Sequence, residues 1–342
     1  MNRNNIAALL FSMVLAFAAQ AQKQLIVAFY NQENLFDTID DPHKNDNEFL
    51  PTDKKQWNTE KYTNKINNMS KVIASMNDGK GPDLLGMCEV ENDVVLNDIT
   101  KNKQLKKAGY RFVHFESPDE RSIDNALLYR SNKFTLVASA AYPVTLADNP
   151  RFKTRDILMV KLMVKQTKSP VVVLVNHFPS RLGGEAESAP KRKRAAEVLR
   201  GIYDSIAQAD PSTPVIMMGD FNDEPADESM SKVLNAKGQP EGLAANDLFN
   251  AMYALKEQKM GSHYYRNEWS ALDQIIMSNN LVSCTGRICY KNQSATIYKQ
   301  DWMVEQEGKY KGSPIRTFGG QKYLNGYSDH LPVYVILELR KK

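Results

Sequence analysis

With three cysteines in 342 residues, the chain lacks the thiol density of a disulfide scaffold. Cys88 lies inside an apolar run and reads as a small core residue. Cys284 and Cys289 read equally as a pair formed in an oxidising compartment or as two buried thiols. Also missing are a Gly-rich loop ending in Lys-Ser/Thr, a Gly-x-Ser-x-Gly elbow and a His-Glu-x-x-His helix, the signatures of nucleotide-phosphate cradles, serine nucleophiles and zinc hydrolases. Charge of one sign is not in large excess: 44 Lys+Arg against 40 Asp+Glu give a formal +4. That balance permits a polyanionic substrate without requiring one. No internal repeat, low-complexity linker or composition break divides the chain, so one large domain over residues 22–342 is the economical reading.

Residues 1–21 stand apart. Arg3 supplies a short basic stretch, IAALLFSMVLAFAA an apolar one, and Ala19-Gln20-Ala21 a small-x-small cleavage site, the three parts of a secretory signal. The expectation is an exported protein, periplasmic or extracellular, beginning at Gln22; an uncleaved anchor is the alternative. Removing Arg3 takes the formal charge from +4 to +3. No later segment has the uninterrupted apolar length of a membrane span. The first cysteine, Cys88, is far from the cleavage site, so no bacterial-type lipid is attached there.

What remains is ordinary globular composition, 42% hydrophobic and 25% charged. NTEKYTNKINNMSKVIASM places Ile66, Met69, Ile73 and Met76 at helical spacing behind an Asn58 or Thr59 cap. PKRKRAAEVLRGIYDSIAQ predicts a second helix with Pro190 near its first turn, and ADESMSKVLNA a short third. Strands are expected over 24–31, 83–90, 124–130, 134–140, 156–164, 171–178, 214–221, 273–278 and 333–339. NALLYR and FTLVASA read as hairpin neighbours, which excludes a purely parallel sheet. The near-continuous apolar runs VVVLV and VIMM suit strands covered on both faces. Two packed mixed sheets with helices outside satisfy both.

The apolar strands have polar exits. LIVAFYNQEN runs into Asn31 and Glu33, DLLGMCEVEN into Glu89, VVVLVNHFPS into Asn176 and His177, and VIMMGDFNDEP into Asp220 and Asn222. Two further clusters open strands: Asp273 in LDQIIMS and Asp329-His330 in SDHLPVYVIL. In antiparallel neighbours the start of one strand lies beside the end of the next, so all six clusters fit one sheet edge. Several carboxylates with amides and histidines, and no cysteine ligand, suit Mg²⁺, or Mn²⁺ or Ca²⁺, more than structural zinc. Histidines add proton transfer near neutrality, as phosphoester hydrolysis requires. With no side-chain nucleophile marked, water is the expected attacking group.

In order, the segments FYNQENLFD, DLLGMCEVEN, RSIDNALLYR, VNHFPSR, GDFNDEP, LDQIIMS and SDHLPV resemble the motifs of the endonuclease/exonuclease/phosphatase superfamily, over nearly the whole mature chain. The resemblance implies a four-layer α/β/β/α sandwich and metal-dependent phosphoester hydrolysis. Glu89 then looks like the principal metal ligand, with Asp329 a further metal-site carboxylate and Asn31 the amide supporting metal or phosphate. Asp220 and Asn222 resemble the pair that orients water and holds phosphate. His330 resembles the histidine beside the scissile phosphate, oriented by Asp273. His177, after Asn176, resembles the second histidine, with Asp124 its candidate partner. The chain departs from the family in carrying Glu33 where Asp is frequent, and Glu33 is expected as a ligand. Arg155 is a candidate phosphate contact, or a surface ion-pair partner. His43 and His114 read as surface or satisfied histidines; His263 reads equally as a substrate contact or a packed loop residue. The substrates implied are nucleic acid first, then phosphomonoester, inositol phosphate or phospholipid headgroup. A catalytically silent polyanion-binding module ranks last, because Glu89, Asp220 and His330 are all present.

Overall fold

The computed structural model describes residues 24–340, and the expected leader of residues 1–21 lies outside them. The chain begins with β1 (Gln24–Leu35), α1 (Thr59–Gly79), β2 (Leu84–Val90), α2 (Asp93–Lys101), β3 (Tyr110–His114), β4 (Asp124–Arg130), β5 (Phe134–Tyr142) and β6 (Ile157–Val164). It continues through β7 (Ser169–His177), α3 (Glu185–Ala209), β8 (Val215–Asp220), β9 (Ala236–Lys237), β10 (Leu248–Asn250), α4 (Tyr253–Glu257), β11 (His263–Tyr265), β12 (Glu268–Ser270) and β13 (Asp273–Ser278). Last come α5 (Asn279–Val282), β14 (Ile288–Tyr290), β15 (Thr296–Ile297), β16 (Phe318–Gly319), β17 (Lys322–Tyr323) and β18 (Val333–Leu339).

Two seven-stranded mixed sheets result. One runs β14-β18-β1-β2-β4-β3, with β15 also on β18; the other runs β5-β6-β7-β8-β13-β10-β9. Period-two alternation assigns the faces. Val27 and Phe29 of β1, Val173 and Val175 of β7, Met218 of β8 and Ile275 of β13 meet in the core between the sheets. Ala28 and Tyr30 of β1 instead face Ile66, Met69, Ile73 and Met76 of α1. Leu174 of β7 and Met217 of β8 face Ala195, Leu199 and Ile202 of α3. Every central strand is therefore apolar on both faces, and the layers stack α/β/β/α as expected.

The helices follow their local signals. Asn58 caps α1 by accepting from the Lys61 amide at 3.0 Å. Helix α3 starts at Glu185, five residues ahead of the expected Pro190, which lies inside it. The expected third helix is a single π-helical turn, Ser229–Val233. Sequence reasoning missed α2, α4, α5 and nine strands of two to five residues, β3 among them. The supposed hairpin is not one: β4 pairs with β3 and β2, while β5 pairs with β6 in the other sheet. The turn at 131–133 thus carries the chain between sheets, and the mixed character comes from pairs such as β1 with β18, antiparallel, and β1 with β2, parallel. Cys88 is a buried free thiol, and Cys284 is bonded to Cys289. Among the described residues no helix is long and apolar enough to cross a membrane.

Strands β7 and β8 lie in parallel register, His177 opposite Asp220 and Asn176 opposite Gly219. Their approach leaves no room at Gly219, where a Cβ would collide with the Asn176 carbonyl. Gly201, on the exposed side of α3, meets nothing within 4 Å. Gly219→Ala is expected to cost about 1–3 kcal/mol by forcing β7 and β8 apart, and Gly201→Ala to gain about 0.5–1 kcal/mol of helix stability. Urea unfolding of both variants checks the opposed signs.

Candidate active site

The six polar clusters do not share one sheet edge. They converge from the same end of both sheets: Asn31, Glu89 and His330 from the first, His177, Asp220 and Asp273 from the second. Alternation places most of them. Asn31 continues the face of Val27 and Phe29, His177 that of Val173 and Val175, Asp220 that of Met218, and Asp273 that of Ile275, so each side chain extends the inter-sheet core toward its open end. Glu89 is the exception. Cys88 already faces that core, and Glu89 would face α1 were the register with β4 not shifted between Cys88 and Val90. A left-handed Glu89, φ 57°, accompanies the shift; a bulge of this kind re-aims a side chain. Asn222 (φ 50°) and Glu33 (φ 48°) turn the chain similarly beyond β8 and within β1.

Asn31 is the hub. Its Nδ2 donates to Asp220 Oδ2 at 3.1 Å and lies 3.5 Å from Glu89 Oε1, while its Oδ1 accepts from the Glu33 amide at 2.9 Å. Glu89 Oε2 accepts from the Asn34 amide at 2.9 Å, and Asp220 Oδ1 from the Asn222 amide at 2.9 Å. His177 Nε2 stands 3.9 Å from both Glu89 Oε1 and Asp220 Oδ2. Across the cleft His330 Nε2 is 3.8 Å from Asp220 Oδ2 and 4.0 Å from Asp329 Oδ1. These gaps exceed hydrogen-bond length and leave room between the groups.

The two histidines have opposite electrostatics. Burial pushes His177 well below its ordinary pKa, and Arg155, Arg121 and His330 push the same way, so it is neutral at pH 7. Burial opposes a charge on His330 too, but Asp273, Asp220 and Asp329 outweigh it and raise its pKa well above the ordinary value. The Nδ1 bond to Asp273 Oδ2, 2.7 Å long, fixes that imidazolium, and Ser262 Oγ donates to the same carboxylate oxygen at 2.5 Å. Burial raises Glu89 first, then the charge of Asp329. Burial also raises Asp220 against the pull of His330. Asp329 is lowered despite burial, by His330 and Arg316.

Several expected site residues do other work. Glu33 is withdrawn from the cleft: Oε2 accepts from the Thr317 amide (2.7 Å) and hydroxyl (2.8 Å), and Lys65 and Arg316 lie within 3.7 and 3.3 Å. Its longer side chain reaches the 317 segment. Burial pushes both Glu33 and Lys65 toward their neutral forms. Asn176 follows Leu174 onto the α3 face, where its Nδ2 donates to the Leu174 and Met218 carbonyls at 3.2 Å; it is not in position to touch phosphate. Arg155 is buried, bonding Asp119 Oδ2 at 3.0 Å and the Phe178 carbonyl at 2.6 Å, so it is neither a phosphate contact nor a surface pair. Arg121, 49% exposed and 3.6 Å from Asp119, is a cation whose charge acts on Glu89 and His177. Asn222 stays beside the cleft with its Nδ2 on the Phe178 carbonyl at 3.0 Å.

Asp124 does not orient His177. Its Oδ2 is 3.2 Å from His114 Nε2, and its Oδ1 accepts from the Ser117 amide at 2.8 Å; His177 Nδ1 has no hydrogen-bond partner among the described residues. Pairing of β3 with β4 sets His114 opposite Ala126, two residues from Asp124. Sequence reasoning also missed Ser262 and Ser328. Ser328 Oγ donates to the Asn31 carbonyl at 2.8 Å and accepts from the His330 amide at 3.1 Å. Only the Ser328–His330 contact is local, within the SDHLPV segment; the others span 11 residues for Ser262 to Asp273 and 297 for Ser328 to Asn31. His263, left open between two readings, packs its ring 4.6 Å from that of His330.

The donor set fits a hard divalent cation. Glu89, Asp220 and Asp329 are oxygen donors crowded in one cleft, and the upward shifts of Glu89 and Asp220 mark carboxylates short of positive charge. Asp220, Asp273 and His330 also gather ligand atoms within 4.8 Å, but the His330–Asp273 bond already occupies that pair.

The endonuclease/exonuclease/phosphatase family profile matches residues 26–339, and the chain belongs to that family. Its members are metal-dependent phosphoester hydrolases, and this chain is an enzyme of that class. No curated protein matches it. Similar solved structures include D. rerio TDP2 complexed with single-strand DNA product (TM-score 0.54, 13% identity, 93% of this chain and 100% of that one). A Bacteroides vulgatus endonuclease/exonuclease/phosphatase has TM-score 0.54, 16% identity and coverage of 93% and 100%. The mannosyl-6-phosphatase of Bacteroides thetaiotaomicron VPI-5482 has TM-score 0.54, 17% identity and coverage of 92% and 99%. At such identities the likeness is one of fold.

Because Asp124 holds His114, Asp124→Asn is expected to lower the His114 pKa and leave His177 unmoved in an imidazole NMR titration. Burial opposes the His114 charge, but Asp124, Glu116 and Asp93 raise its pKa above 6.5. The pair's stability is therefore fully present below pH about 6.5 and lost as pH rises through the raised value. A shift at His177 instead would restore the sequence-based pairing.

Proposed function

We propose that the protein is an exported Mg²⁺-dependent phosphodiesterase acting on nucleic acid. The observation that carries this reading is Asp220 standing between a neutral His177 and a charged, Asp273-braced His330, at 3.9 and 3.8 Å. Glu89 is the residue to hold the cation, with Asn31 and Asp220 beside it. Bound there, Mg²⁺ supplies charge neutralisation and polarisation of the phosphate. The chain's own groups do the rest. Asp220, fixed by Asn31 and the Asn222 amide, orients water and accepts its proton. His330, held charged, donates to the oxygens on which negative charge grows. His177 faces the same space for the leaving oxygen. Export rests on residues 1–21 and is checked by the mass of the mature chain, beginning at Gln22.

A phosphomonoesterase reading on the same groups is favoured by the likeness to a mannosyl-6-phosphatase. Assays with Mg²⁺ on oligothymidylate, poly(U), bis(p-nitrophenyl) phosphate and mannose 6-phosphate separate the two. Turnover of the diesters, weakening steeply with salt as phosphate contacts release counterions, is expected. Release of phosphate from mannose 6-phosphate with no cutting of nucleic acid contradicts the diesterase reading.

Glu89→Gln is expected to abolish most activity and move Mg²⁺ dependence to far higher concentration, as read by calorimetry. His330→Ala is expected to retain metal binding and lose about 10²-fold in single-turnover rate. Near-normal hydrolysis by either folded variant would remove the assignment.

A further inference from the structure

Beside the candidate site, at its Asp329 end, lies a cleft of about 750 Å³ that none of the groups above explains. Two tyrosines line it with exposed rings, Tyr265 at 59% and Tyr310 at 60%. Each carries a cation at its face: Arg266 lies 5.2 Å from the Tyr265 centroid and Lys309 5.6 Å from that of Tyr310. Lys322 and Arg316 complete four cations, against the carboxylates of Glu305 and Asp329. Arg316 is spent on Glu33 and Asp329. No ion pair forms for Arg266, Lys309 or Lys322 among the described residues, so the cleft keeps a positive surplus.

The cleft is also tied to the catalytic groups. His330 and His263 rings stand 4.6 Å apart, and His263 and Tyr265 rings 6.3 Å apart with planes 21° from parallel. His263 and Tyr265 share one face of β11, whose hairpin with β12 closes through Arg266 (φ 49°) and Asn267 (φ 68°), a two-residue turn with both φ positive. At its base Gly261 admits no Cβ against the Ser270 backbone. The aromatic row thus leads from the proposed reacting phosphate to Tyr265 on a braced hairpin.

We propose that this cleft is a subsite for the nucleotide flanking the scissile phosphate in a single strand, its base stacked on Tyr265 or Tyr310 and its next phosphate held by Lys309, Lys322 and Arg266. Flat exposed rings interleaved with unpaired cations are the chemistry that binds unpaired bases and their backbone. The paired bases of a duplex offer no free face to such rings. The inference rests on the diesterase reading and deepens it, since it assigns the enzyme strands longer than one phosphodiester and unpaired at the cut.

The test compares kcat/KM for a short oligothymidylate and for bis(p-nitrophenyl) phosphate, which is too small to span the cleft, in the mature protein and in Tyr265→Ala, Tyr310→Ala and Lys309→Ala/Lys322→Ala. Thermal melting checks that each variant folds. The ratio of the two kcat/KM values is expected to fall about tenfold, through KM, in the variant of whichever tyrosine stacks the base, and the salt dependence of oligothymidylate KM to flatten in the lysine variant. Annealing oligodeoxyadenylate to the substrate is expected to suppress its cutting. A ratio unchanged in all three variants, or equal cutting of the duplex, overturns the subsite while leaving the diesterase intact. Loss of mannose 6-phosphate turnover in the variants, with oligothymidylate untouched, assigns the cleft to a sugar phosphate and overturns it too. A wild-type protein active on neither diester removes the reading on which the subsite rests.

Discussion

Four carboxylates, Glu89, Asp220, Asp273 and Asp329, are forced into one cleft between two packed sheets, and their mutual repulsion is the constraint to which the rest of the structure responds. Buried like charges raise one another's pKa and disfavour the fold unless something answers them. The protein answers in part. Asp273 is neutralised by His330 through a 2.7 Å bond and Asp329 by Arg316 at 2.7 Å, whereas Asp220 accepts hydrogen bonds only from neutral donors, Asn31 and the Asn222 amide, with the His330 charge 3.8 Å away. Glu89 has the Asn34 amide and the distant edge of Asn31. Glu89 and Asp220, still raised in pKa despite the charges of Arg121 and His330, are where a cation belongs.

The sandwich makes such a cleft possible. Strand interiors with apolar residues on both faces build the three hydrophobic layers, and the same alternation, continued past the last apolar residue, aims Asn31, His177, Asp220 and Asp273 into the open end of the inter-sheet core. Behind them a second tier keeps them still: Ser262 on Asp273, Ser328 joining Asn31 to His330, and Lys65 with Thr317 on Glu33. Positions this constrained support reaction geometry because little has to move when charge develops.

Much of this was legible in the sequence. Nine strands are legible within a few residues because each is an apolar run bounded by polar residues; strand exits name Glu89 and Asp220, and strand openings name Asp273 and His330. The failures share one cause, the reach of side chains across unseen neighbours. Asn176 and His177 are adjacent in sequence, yet a period of two sends them to opposite faces. Asp124, the candidate partner of His177 by resemblance, meets His114 instead, because the five-residue β3, not legible in the sequence, sets His114 beside it. Arg155 and Glu33 found partners, Asp119 and Thr317, that no spacing announces. Glu89 lies in the cleft against the alternation, because its left-handed backbone turns it there.

The central claim is that the cation sits against Glu89, between Asn31 and Asp220. Crystals of residues 22–342 soaked in Mn²⁺ and measured at the manganese edge locate it directly. The account predicts the strongest anomalous peak within coordination distance of the Glu89 carboxylate. A strongest peak at another carboxylate and histidine grouping, His114, Glu116 and Asp124 or His263, Asp329 and His330, with none beside Glu89 in a preparation that is hydrolytically active with Mn²⁺, would contradict it.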